Sequence, residues 1–196
     1  TKGMERRPSF LTVNRTSPQG TKIPFFNFVF SFAEGTKPIP MGDDLLYKLA
    51  LTEVPGGGPK TARLLIGYCG GVQAVFEASK KELSRIPGIG PQTAHQVHSF
   101  REFSWAEQEL QFIEKNGIQP LFYLDSDYPR RLTHLPDAPI MLYYKGNENL
   151  NQNRILAIVG TRQPSPRGKA ICEELIDQLS EYQPLIVSGL AYGIDY

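Results

Sequence analysis

The sequence predicts an α/β protein, the first part of a parallel sheet, preceded by a small all-α domain. Three observations carry this. Ile155–Val159 and Leu185–Val187 are short apolar runs rich in β-branched residues, and a helical pattern separates them, which is the order of a βαβ unit. The pattern apolar-Pro-Gly-x-Gly-Pro-x-Thr-Ala occurs twice, at Val54–Ala62 and again thirty-two residues later at Ile86–Ala94. Each copy opens a helix, and helical core positions fill the residues between them.

With 196 residues of ordinary globular composition, the chain has room for one or two domains. A net charge of +1 gives no global sign of a nucleic-acid binder, although residues 1–40 alone carry a net +4. Cys69 and Cys172 lack metal-ligand spacing and fall in predicted helices, so both are read as buried, reduced thiols. The longest apolar run, Phe25–Phe32, is too short to span a bilayer, is broken by Asn27 and lacks a signal-peptide cleavage site. A cytoplasmic protein with no membrane partner is expected.

Residues 1–40 are punctuated by Pro8, Pro18, Pro24, Pro38 and Pro40 and are expected to form a disordered or loosely held extension, with Met41 as a natural start. Residues 41–117 are the all-α domain. Leu45, Leu46, Leu49 and Ala50 share a helix face, capped by Asp43 or Asp44. Leu64, Leu65, Val75, Phe76 and Leu83 supply core between the two repeats. The repeat resembles the helix-hairpin-helix motif, whose Gly-rich turn lets backbone N–H groups at a helix N-terminus approach a DNA phosphate. The second copy fits better, because Ile89 can plug between its helices where the first copy has Gly57. Gly88, Ile89, Gly90, Gln92 and Thr93 are the candidate DNA contacts of this domain; Lys60 and Arg63 are the charges flanking the first copy. His95 and His98 stand three apart with no third ligand, and are read as surface or packing residues. A further helix, Phe103–Asn116, ends at Gly117, and Trp105 is assigned to a core or domain interface.

Residues 118–196 begin the α/β domain. Ile118–Leu124 is a short strand, the prolines between Tyr128 and Pro139 exclude helix, and Ile140–Tyr144 is a second β run. Ile155–Val159 is expected at the centre of the parallel sheet. Gly160 ends it, Ser165 and Pro166 form a helix N-cap and first residue, and Ile171, Leu175, Ile176 and Leu179 form the helix's apolar face. Strands joined by this crossover are parallel neighbours, so the loops Gly160–Ser165 and Ser188–Asp195 face one crevice, where open α/β sheets take their ligands. A tight loop leading into a helix N-terminus is an anion site. Arg154, Arg162, Arg167 and Lys169 add four positive charges in this stretch with no acid among them. Asp195 is read as the cap of a following helix. The dinucleotide fingerprint is absent after Val159, and Gly168-Lys169-Ala170 lacks the hydroxyl and the upstream glycine of a P-loop. No cofactor and no metal is expected, and no catalytic arrangement stands out.

Tyr128-Pro129…Leu132, Pro139…Leu142-Tyr143…Lys145-Gly146, Ala157–Arg162, Ser165…Gly168 and Ile186–Asp195 together resemble the DNA-processing protein A (DprA, or Smf) family over about residues 119–196. The repeated hairpin domain is similar to the N-terminal region of many members. The resemblance implies a SAM-like helix-hairpin-helix domain followed by a Rossmann-like domain. It implies a recombination mediator rather than an enzyme, one that protects single-stranded DNA and loads the RecA recombinase during natural transformation, and a homodimer at full length. It places DNA contact on Gly160, Thr161, Arg162, Ser165 and Gly168 in one loop and on Ser188, Gly189, Ala191 and Gly193 in the other. The family's DNA-contacting arginine falls on Arg162. Tyr192 stands where the family often has a basic residue, and offers a ring for base stacking instead.

Two other readings stay open. A nucleotide-processing enzyme of the lysine-decarboxylase-like (LOG) family would need a Pro-Gly-Gly-x-Gly-Thr-x-x-Glu stretch that these residues do not contain. A helix-hairpin-helix glycosylase would want a catalytic Asp soon after the second hairpin, and the first after Gly90 is Asp125. Because one βαβ unit cannot cover both faces of a parallel sheet, a truncated or partial chain is expected, with the dimer and RecA surfaces mostly past Tyr196.

Overall fold

The structure, a computed structural model, describes residues 10–11, 28–30 and 43–195. The expected loose extension and Met41 lie outside these residues, except for two short strands, β1 (Phe10–Leu11) and β2 (Phe28–Phe30). The chain forms two compact units: Lys37–Leu142, and Tyr143–Tyr196 together with β1 and β2.

The first unit is mainly helical: α1 (Asp43–Glu53), α2 (Pro59–Cys69), α3 (Val72–Glu77), α4 (Lys80–Leu83), α5 (Pro91–Ser99) and α6 (Phe103–Asn116). Leu49, Leu51, Leu65, Val75, Leu83, Val97 and Ile113 are fully buried. Each contributes roughly 1.5–3 kcal/mol of transfer free energy. Tyr47, Phe76, Phe100 and Phe103 add a ring cluster with centroids 5.5–6.0 Å apart. Gly117 ends α6 in the left-handed region, and the Ile118 N–H returns to the Ile113 carbonyl at 3.0 Å.

Both repeats fold alike for a local reason. Pro55 and Pro87 set the first corner of a type II turn, and the second corner needs a positive φ, supplied by Gly56 (φ 72) and Gly88 (φ 88). The turns close through Gly57 N–H to Val54 O (2.8 Å) and Ile89 N–H to Ile86 O (3.0 Å). Gly58 and Gly90 are then the N-caps of α2 and α5, with Pro59 and Pro91 at the first helical position. Each turn leans on the other repeat's helix. A Cβ on Gly56 would lie 3.2 Å from Gln96 Oε1, and one on Gly88 would lie 3.6 Å from Leu64 Cδ1. Gln96 and Leu64 are equivalent positions of the repeat, so the two hairpins exchange the same contact about a local pseudo-two-fold axis.

β3 (Gln119–Phe122), α7 (Arg130–Thr133) and the start of β4 (Met141–Lys145) follow. The sequence pattern changes at 117/118, whereas the compact units part at 142/143. Side chains of the helical unit hold the intervening segment. Arg63 donates to the carbonyls of Thr133 and Ala138 (3.3 Å each) and lies 4.8 Å from the Tyr123 ring centroid. Lys48 stands 3.8 Å from Asp125 and 4.9 Å over the Phe122 ring. The expectation that prolines exclude helix from this segment is corrected: Pro129 caps the single turn α7. Ahead of the first helical residue, a missing N–H costs no helical hydrogen bond.

In the second unit the end of β4 pairs in parallel with β2, with Phe28 opposite Tyr143. β5 (Ile155–Ala157), α8 (Pro166–Leu179), a 3-10 turn (Ser180–Tyr182) and β6 (Leu185–Val187) form the predicted βαβ unit. β5 and β6 are parallel neighbours, Ile155 opposite Leu185 and Ala157 opposite Val187. Among the described residues the strand order is β1-β6-β5, with β6 buried between its two neighbours and Leu156 and Ala157 of β5 exposed. α8 also turns a different face inward. Cys172, Ile176 and Leu179 are half-buried, whereas Ile171 (55% exposed) and Leu175 (44% exposed) point outward. Neither cysteine is buried outright; Cys69 and Cys172 are both half-buried and free.

Candidate functional site

The crevice of the second unit is built by two loops. In the first, Ser165 takes an extended conformation and its Oγ accepts the Gly168 N–H at 3.1 Å, with Pro166 at the first helical position. Thr161 Oγ1 accepts the Gln163 N–H at 3.2 Å. In the second, Ser188 is only 6% exposed; its hydroxyl donates to the Asp195 carbonyl (2.8 Å) and accepts the Leu190 N–H (3.3 Å).

The loops touch, as the parallel β5–β6 pairing requires. Ile194 N–H donates to Thr161 O (3.2 Å), and Gly160 N–H donates to Asp195 Oδ1 (2.8 Å). A Cβ on Gly160 would stand 2.5 Å from the Ile194 Cβ. One on Gly193 (φ 111) would run into the Thr161 carbonyl and stand 2.7 Å from the Arg162 Cα. Gly189 faces Asp195 Oδ2, 3.0 Å from where its Cβ would be. These glycines permit loop–loop contact, which brings the Arg162 backbone against Gly193, the residue after Tyr192. Tyr192 is 85% exposed and Ala191 half-buried.

Arg162 is exposed and its guanidinium has no partner among the described residues; the same holds for the side chains of Arg167 and Lys169. Arg154 differs, because its Nη1 donates to the Tyr182 carbonyl at 3.0 Å. Three cations, not four, therefore remain available in this stretch. The Asp195 carboxylate braces the two loops. Its carboxylate takes the Gly160 N–H, one of the donors that such a turn offers to a phosphate.

The hairpin candidates lie in the other unit. Ile89 is buried (6% exposed), Gly88, Gly90 and Gln92 are exposed, and Thr93 is half-buried. A Cβ at Gly58 or Gly90 would meet open space, so both N-caps present bare backbone. Arg63 is spent on carbonyls and an aromatic ring, which removes it from the charge near the first hairpin; Lys60 stays exposed. His98 Nδ1 lies 3.2 Å from the Ala78 carbonyl, a packing contact, and His95 is exposed. Among the described residues no helix is long and apolar enough to cross a membrane.

Residues 119–196 match the family model of DNA recombination-mediator protein A, and residues 48–100 match that of a SAM-like helix-hairpin-helix tandem. The Smf protein of Synechocystis sp. is 31% identical over 153 residues, covering 76% of this chain and 38% of that protein. The X-ray structure of DNA processing protein A (DprA) from Streptococcus pneumoniae superimposes with a TM-score of 0.55 at 26% identity, covering 79% of this chain and 51% of that one. The UvrABC system protein C of Chromohalobacter salexigens is 48% identical over 48 residues, 24% of this chain and 8% of that protein. The chain thus spans about half or less of the relatives it matches. With a duplicated hairpin domain leading into the linked loops of a Rossmann-like parallel sheet, the chain belongs to the DNA-processing protein A (DprA/Smf) family.

Proposed function

We propose that the crevice around Arg162 holds the phosphates of single-stranded DNA, and that the chain is the DNA-holding part of a cytoplasmic mediator that protects the strand and loads the RecA recombinase during natural transformation. The observation that carries this is the unpartnered Arg162 guanidinium at the mouth of two loops braced by Gly160 and Asp195. A fixed cation beside a capped helix N-terminus recognises a phosphate oxygen without reading sequence. Thr161, Ser165 and Gly168 shape that loop, and Ser188, Gly189, Ala191 and Gly193 shape the facing one. Tyr192 offers a ring to an adjacent base. The role is binding and positioning, with no bond made or broken.

The test is binding of a labelled oligonucleotide over a range of salt. With Arg162, Arg167 and Lys169 engaged, the log–log salt slope should be about −2 for a single strand. Arg162→Ala should weaken binding about tenfold or more, the scale of a lost hydrogen bond to a charged group. Affinity unchanged at every salt concentration sinks the assignment. Release of a base or a ribose phosphate from a nucleoside monophosphate would point to the enzyme reading instead.

A further inference from the structure

The helical unit carries a groove that the crevice reading leaves unused. Lys60, Leu64, Gly67 and Tyr68 lie along one face of α2, and with Arg63 and Pro136 they line a concavity of about 540 Å³. That volume falls within the range of small-ligand sites. Tyr68 is 61% exposed on its wall. Gly67 contributes bare backbone, with nothing within 4 Å of where its Cβ would be. Lys60 is exposed and unpaired among the described residues, and no acidic residue lines the groove. An apolar, ring-bearing trough with the Lys60 ammonium at its edge fits a planar group joined to an anion.

The groove also abuts the second hairpin. Leu64 lines it, and the Leu64 Cδ1 atom is the one that a Cβ on Gly88 would meet at 3.6 Å. A strand with one phosphate at the Gly88–Gly90 turn would therefore carry a neighbouring nucleotide into the trough.

We infer that this groove is a base-stacking subsite for single-stranded DNA, with an unpaired base on Tyr68 and its phosphate at Lys60. The inference rests on the single-strand reading above, and adds to it a second contact in the helical unit, independent of Arg162. It also assigns strand selectivity to the hairpin domain, because a base in duplex is already stacked and paired and cannot enter.

The test uses the full chain carrying Arg162→Ala, so that the crevice no longer dominates, and an oligothymidylate with one 2-aminopurine. Tyr68→Leu should weaken binding about tenfold and abolish quenching of the probe, and Tyr68→Phe should preserve both. Lys60→Gln should weaken binding a few-fold and reduce the salt slope by about 0.7. Several results would overturn the inference. These are affinity and quenching unchanged in Tyr68→Leu, equal Tyr68-dependence with a duplex, competition by an acidic peptide but not by DNA, or loss of self-association of the DNA-free chain in Tyr68→Leu. The two readings separate cleanly. Complete loss of binding in Arg162→Ala alone removes the groove and keeps the crevice; Tyr68-dependence with no effect of Arg162→Ala does the reverse.

Discussion

The backbone N–H of Gly160 donates to the Asp195 carboxylate over 2.8 Å, joining two loops whose residues lie thirty-five apart in sequence. The carboxylate is both brace and obstacle, since it fixes the loops but brings a negative charge to a crevice proposed to hold phosphate. Asn keeps an acceptor oxygen and drops the charge. Asp195→Asn should therefore bind single-stranded DNA several-fold more tightly, with the gain shrinking as salt screens the crevice. Asp195→Ala loses the same charge and also the brace, and should bind more weakly than the parent. Oligonucleotide titrations at two ionic strengths check both; weaker binding by Asp195→Asn at low salt would show that the charge does not oppose the ligand.

The first hairpin differs from the second at the plug, where Gly57 replaces Ile89. Simply restoring the side chain does not suit the backbone. A Cβ on Gly57 would stand 2.8 Å from the Val54 carbonyl oxygen and 3.2 Å from the Val54 Cβ. Gly57→Ile, although it makes the two repeats alike, should destabilise the helical unit by about 1–3 kcal/mol, the usual cost of overpacking. Chemical denaturation reads this directly. A stability equal to or above the parent's would mean that the first turn relaxes to accept the plug.

Arg63 has a packing role that lysine cannot copy. Its two terminal nitrogens reach different carbonyls, those of Thr133 and Ala138, while its guanidinium carbon lies 4.8 Å over the Tyr123 ring. An ammonium has neither the fork nor the flat face. Arg63→Lys should cost about 1–2 kcal/mol of stability, the scale of the hydrogen bonds lost. Oligonucleotide affinity measured well below the melting range should stay unchanged. A selective fall in affinity with unaltered melting would return Arg63 to the DNA-facing surface.

These residues show what the sequence carries and what it does not. Features with a local cause were legible: the Pro-Gly turns, the Ser165 cap, the Gly117 stop and the parallel pairing implied by a βαβ order. Features decided by long-range partners were not. Arg63 finds its carbonyls about seventy residues away, and nothing in its own neighbourhood distinguishes that use from a phosphate contact. The apolar residues of α8 allow two overlapping stripes, Ile171–Leu175 or Cys172–Ile176–Leu179, and only the sheet beneath selects the second. The apolar run at Ile155–Val159 specifies a strand, but strand order, not composition, puts β6 between β1 and β5 among the described residues. Asp195 has the residue type of a helix cap, and its use as a brace depends on where the Gly160 loop comes to rest.

The helical unit should carry a pH-dependent penalty that one substitution relieves. Glu53 is the last residue of α1, and burial raises its carboxyl above the ordinary carboxylate range. Glu109, on α6, is raised first by burial and then by the charge of Glu53. A carboxyl whose pKa is higher folded than unfolded favours the native state while it stays protonated. That contribution is fully present below the unfolded value, about 4.3 for Glu, and is lost as pH rises through the folded value. Ionisation of both groups is therefore opposed by desolvation, and that of Glu109 also by the Glu53 charge. Glu109→Gln removes one of the two charges and keeps the shape, so its melting temperature should exceed the parent's at pH 7. The difference should shrink as pH falls and vanish below about pH 4, where the parent's carboxyl is neutral as well. Thermal melts from pH 3.5 to 7.5 decide the matter. A difference that does not change with pH would assign the effect to packing, and a melting temperature below the parent's at pH 7 would mean that Glu109 has a stabilising partner when ionised.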